Sequence, residues 1–80
     1  MSYQTSGSQD HAAAITPSDT VDLSAPCNAI YVGGAGALTV ITVGGETVAF
    51  PAVPAGAIIP IRATRIKATG TVATNLVAMW

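Results

Sequence analysis

Short runs of β-branched and other apolar residues alternate with clusters of glycine and proline, and after Pro17 no segment shows a good amphipathic helix period. Residues 29–32 form one such run. They end at Gly33-Gly34-Ala35-Gly36, which predicts a strand closed by a turn. Residues 38–43 and 46–50 are two more runs, joined by Gly44-Gly45. Glycine reaches the positive φ angles of a primed turn, so this pair predicts a tight hairpin. Residues 51–56 hold Pro51, Pro54 and Gly56 and predict a loop that excludes a helix or a central strand. Residues 57–63 resume the strand pattern with Pro60 inside it, which predicts an edge strand or a bulge at that point. Ile59, Ile61 and Ala63 share one parity, but Ile66 and Ala68 share the other, so a bulge near Thr64 is expected to restore one inward face. Gly70-Thr71 predicts a turn, residues 76–80 a final strand, and residues 21–23 a weak one.

These elements imply an all-β fold, a small antiparallel β-sandwich or barrel of about six to seven short strands. The expected organisation is a polar segment over residues 1–14 and a single β domain over residues 15–80. The first segment shows no hydrophobic period. It reads either as a disordered tail or as an extended arm that orders across a neighbouring subunit.

Several of the runs are apolar on both parities. In residues 38–43, Leu38 and Val40 oppose Ile41 and Val43; in residues 76–80, Leu76, Ala78 and Trp80 oppose Val77 and Met79. A strand with one wet face should alternate cleanly, so the second face is expected to meet another chain. Composition points the same way. Half of the 80 residues are hydrophobic and 9% are charged, against about 25% in an ordinary soluble domain. A chain this short removes only about 60% of its surface from water, so apolar material must lie outside and be covered by something. Cys27 is a lone cysteine, which leaves oligomerisation as the route to stability in place of disulfides.

Charge and chemistry exclude more than they suggest. Three basic residues, Arg62, Arg65 and Lys67, against four acidic ones give no footprint for nucleic acid or an anionic membrane. The start lacks the basic and apolar regions of a signal peptide, and residues 23–45 are broken by Pro26 and glycines, so the chain is expected to be made in a cytoplasm without membrane insertion. His11 lies near Ser8 and Asp10 in the polar segment, where no triad geometry is held, and Cys27 has no second histidine to activate it. Gly34-Ala35-Gly36 lacks the third glycine and the helix of a dinucleotide fingerprint. The carboxylates are dispersed. No enzyme activity, cofactor or metal is therefore expected. The basic cluster reads either as a solvated edge that blocks strand pairing or as contacts to Asp19, Asp22 or Glu46 of a neighbour. Trp80 is a large aromatic placed last and needs a pocket, its own or a neighbour's. The candidate interface residues are thus Ile41, Val43, Arg62, Arg65, Lys67, Val77, Met79 and Trp80.

Thr16-Pro17-Ser18-Asp19, residues 29–36 (AIYVGGAG), Val53-Pro54-Ala55-Gly56, residues 60–66 (PIRATRI), Ala68-Thr69-Gly70-Thr71 and Ala78-Met79-Trp80 together resemble the head spike base proteins of gene transfer agents and related tailed phages. The resemblance spans roughly residues 15–80 and departs from the family pattern at Asn28, where a basic residue is expected. It implies a virion structural protein on the capsid surface: an oligomeric subunit, in a ring, pentamer or trimer, at the capsid vertex, forming the base that carries a head spike or fibre. The implied partners are the major capsid protein and the spike fibre, with host surface glycans met only indirectly. A capsid decoration (cement) or tail-associated role fits the same scaffold. The residues alone also leave open a small carbohydrate-binding adhesion module using Tyr3, Tyr31, Phe50 or Trp80.

Overall fold

Seven short strands form in chain order: β1 (Ala12–Ala14), β2 (Ala29–Gly34), β3 (Gly36–Thr42), β4 (Thr47–Val53), β5 (Ile58–Ile59), β6 (Ala63–Ile66) and β7 (Thr74–Met79). The structure is a computed structural model that describes residues 10–80. One antiparallel sheet has the order β1-β7-β2-β5 and the other β4-β3-β6, so the fold is a small all-β sandwich. Its core lies between the sheets. Ile30, Val32, Leu76 and Ala78 come from the first sheet, and Leu38, Val40, Ala63 and Ile66 from the second. Burying a Val, Leu or Ile side chain contributes about 1.5–3 kcal/mol, so this handful of side chains carries most of the fold.

The β3–β4 hairpin forms where expected, but its turn is not a primed one. Thr42 N–H donates to the Glu46 carbonyl at 2.9 Å and Gly45 N–H to the Thr42 carbonyl at 2.9 Å, which leaves residues 43–45 in the loop. Gly45 alone of these has a positive φ, 95°, as in a type I turn followed by a left-handed residue. Beyond the hairpin, β4 runs through Pro51, where a break was expected. The strand lies at a sheet edge, and the register slips by one residue between Gly36↔Val53 and Leu38↔Phe50, so the proline sits in a bulge that needs no donor.

Gly33-Gly34-Ala35-Gly36 is not a turn between paired strands. β2 continues through Gly34, and the chain then passes from one sheet to the other at Ala35. Pro60 splits the expected 57–63 strand: β5 joins β2 in the first sheet and β6 joins β3 in the second. The bulge expected near Thr64 is present. Ile41 pairs with Arg65 and Thr42 with Ala63, which leaves Thr64 as the extra residue and turns both Ala63 and Ile66 inward. The weak strand over residues 21–23 does not form. That segment lies along the edge of β6, with Ser18 N–H on the Ile66 carbonyl and Leu23 N–H on the Thr64 carbonyl.

Of the polar first segment, residues 1–9 lie outside the described residues. Its last three residues form β1, paired with β7 of the same chain. Trp80 continues that ladder, exchanging backbone hydrogen bonds with His11 at 2.7 and 2.9 Å.

Candidate assembly interface

Register decides which side chains share a face. In the first sheet Ala14, Val77, Tyr31 and Ile58 are direct cross-strand neighbours, and Ala12, Met79 and Ala29 form the next row. The rows between them, Ala78 with Ile30 and Leu76 with Val32, are the buried ones. Alternation therefore turns the Ala14 and Ala12 rows outward, with Ala29 at the start of β2 covered by its surroundings. Tyr31 is 38% exposed and Ile58 58%, while Val77 and Met79 are half-buried by their neighbours. No strand of this sheet carries a charged residue. The result is an uncharged, largely apolar face whose polar groups are the Tyr31 hydroxyl and, at its end, the Asn75 amide, a composition suited to meeting another protein surface.

Val77 and Met79, expected at an interface, lie on this face. Ile41 and Val43 lie elsewhere, on the outward parity of β3 and in the loop after it, with Val43 exposed. Trp80 belongs to the inward parity and packs against the core beside Ile15 and Leu23. Its ring stacks on that of His11, with centroids 5.6 Å apart. Tyr31, Ile58 and the alanines of β1 were missed because their shared face depends on register. The signal that existed was the parity of Tyr31 between Ile30 and Val32.

The basic residues separate as well. Arg65 is engaged within the chain: its Nε donates to Asp22 Oδ1 at 2.7 Å and its Nη1 to the Asp19 carbonyl at 3.0 Å. Thr69 holds the Asp19 carboxylate, its N–H on Oδ1 at 2.9 Å and its hydroxyl on Oδ2 at 2.5 Å. These hydrogen bonds, the hydroxyl's first, hold the Asp19 carboxyl below the ordinary carboxylate range. Ser18 Oγ accepts from the Thr20 and Val21 amides and turns the segment at its start. Residues 18–23 thus form a strap clasped to β6. Arg62 remains exposed, and Lys67 is half-buried with its N–H on the Thr39 carbonyl.

Cys27 is fully buried, and its thiol points to the Ile61 carbonyl at 3.7 Å. Burial pushes its pKa up, so the thiol stays protonated and unreactive at neutral pH. Among the described residues, no three of His, Cys, Asp and Glu come together as a metal set, and no helix is long and apolar enough to cross a membrane.

No family model matches the chain, and no curated protein matches it. A protein in a solved structure described as the capsid of a native GTA (gene transfer agent) particle computed with C5 symmetry is similar: 38% identical, over 91% of this chain and 84% of its own, with a TM-score of 0.83. The chain belongs to that protein's family. It is a virion structural protein. Likeness at this level extends over both sheets, so the family shares the fold and not merely a motif.

Proposed function

We propose that this virion protein is an oligomeric subunit at the capsid vertex, forming the base that carries a head spike or fibre. The observation that carries the reading is the likeness to a GTA capsid-particle protein, at 38% identity over nearly the whole of both chains. The C5 symmetry named for that particle suits a vertex. The resemblance of the segments at residues 29–36, 53–56 and 60–66 to head spike base proteins supports the finer role.

The mechanism is burial, with no catalytic step. The outward rows of the four-stranded sheet set Tyr31, Ile58, Val77 and Met79 against a neighbouring virion protein. A patch of a few hundred Å2 at about 25 cal/mol per Å2 contributes roughly 5–8 kcal/mol before association costs. Arg65, Asp19, Asp22 and Glu46 lie with the opposite sheet, its strap and its hairpin loop, while Asp10 stands beyond the end of β1.

Electron microscopy of particles lacking this chain tests the reading. The expected result is an intact, filled head without its vertex protrusion, restored when the chain is supplied. Unchanged vertices, with density lost from the capsid faces or the tail, would assign the decoration or tail role instead.

A further inference from the structure

Every sheet edge carries backbone N–H and C=O groups that must be paired, covered or hydrated. The two sheets have four edges, at β1, β5, β4 and β6. Two are protected. The strap covers β6 through bonds from Ser18, Leu23 and Cys27 to the carbonyls of Ile66, Thr64 and Ala63. β5 is two residues long: Val32 N–H donates to the Ala57 carbonyl, so alternation leaves Ile58 alone facing outward before Pro60.

Among the described residues, the other two edges have no backbone partner. His11 and Trp80 exchange both backbone bonds, and Ile15 N–H donates to the Leu76 carbonyl. Alternation then directs residues 11, 13 and 15 at β7, and the N–H and C=O of Ala12 and Ala14 outward. On β4, the Thr42–Glu46 bond directs residues 46, 48 and 50 at β3, and those of Thr47 and Ala49 outward. Pro51 ends that row of donors. Ala12, Ala14, Thr47 and Ala49 are small, uncharged and exposed. Among the described residues, neither edge carries a lysine or a covering segment.

The outward groups of these two edges match in spacing, Ala12 and Ala14 on one and Thr47 and Ala49 on the other, and the edges belong to different sheets. We propose that β1 of one subunit pairs antiparallel with β4 of the next copy, Ala12 opposite Ala49 and Ala14 opposite Thr47. The contact joins the four-stranded sheet of one copy to the three-stranded sheet of its neighbour. A second copy is the occupant because this chain carries both halves of the pair, in different sheets that do not pair with each other within one molecule. Such a head-to-tail contact generates a ring when its rotation closes, and it leaves the apolar face of the four-stranded sheet for a different virion protein. The inference rests on the oligomeric reading above.

The test uses the full chain at micromolar concentration. Ala14→Pro and Ala49→Pro each remove an outward donor without touching the intrachain ladder. Native mass spectrometry is expected to show a multimer for the wild type and a monomer for each variant, with the wild-type circular dichroism spectrum retained and melting no longer dependent on protein concentration. A second arm guards against misfolding. The Ala12→Cys/Ala49→Cys double variant is expected to form a ladder of disulfide-linked species on oxidation, and either single variant is not, Cys27 being buried. Proline variants that keep the wild-type mass, together with no ladder from the double cysteine variant, would overturn the pairing while the oligomeric reading stands. A wild type that is folded and monomeric would overturn both.

Discussion

Gly36 has φ 152°, and a Cβ placed on it would lie 2.8 Å from the Ala73 amide nitrogen and 2.9 Å from the Val72 carbonyl carbon. Gly33 faces a similar approach, with Asn75 Cβ at 2.7 Å and the Asn75 carbonyl oxygen at 2.9 Å. Asn75 itself adopts a left-handed φ of 53°. The glycine run therefore lets the start of β7 press against the crossing from β2 to β3. Gly45 differs: φ is 95°, but nothing lies within 4 Å of an added Cβ. Gly45→Ala is expected to cost about 1 kcal/mol from backbone strain alone. Gly36→Ala adds a clash with fixed backbone and is expected to cost roughly 2–4 kcal/mol. Thermal unfolding of the two variants measures the difference, and equal losses would contradict this account. The sequence marks both sites as special backbone. It cannot say which is a turn and which a close approach, because the second depends on residues about forty positions away.

At the scale of elements, local rules locate strands well and fail where an edge relaxes them. The bulge at Thr64 was legible because inward parity must be conserved along β6, and a shift in phase leaves one extra residue as the remedy. The passage of β4 through Pro51 was not legible. A proline is incompatible with a central strand, but whether a strand is an edge is a property of the sheet. The strap over residues 18–23 was missed for the same reason, since Arg65 and Thr69 close it from more than forty residues away. Its electrostatics make a testable statement. Hydrogen bonds to the ionised Asp19 depress its pKa, so their contribution is complete above the ordinary carboxylate value of about 4 and fades as pH falls below it. The Thr69 amide resonance is expected to titrate with a midpoint below that of a free aspartate and to lose the transition in Asp19→Asn. A midpoint at or above the ordinary value would contradict the clasp. Arg65→Ala is expected to cost no more than about 1 kcal/mol, since the Asp22 partner is largely exposed.

On the scale of the whole molecule, charge is unevenly divided between the two sheets. The four-stranded sheet holds no charge in any strand, and Arg65, Asp19, Asp22 and Glu46 lie with the second sheet, its strap and its hairpin loop. This segregation predicts separable effects. Ile58→Glu changes an exposed position and is expected to leave monomer stability within about 0.5 kcal/mol. Its incorporation into particles is expected to fall at least tenfold, measured by quantitative immunoblotting of purified virions. Normal incorporation would remove the apolar face from the assembly. Composition and patterning by themselves determined that this chain is all-β and that apolar side chains must remain on its surface. They did so because hydrophobic period and charge density are local and additive. Only the tertiary structure decided which apolar residues remain outside, which edges stay open and which charges are already paired. Those outcomes depend on cross-strand register and sheet order, set by contacts between residues far apart in the chain.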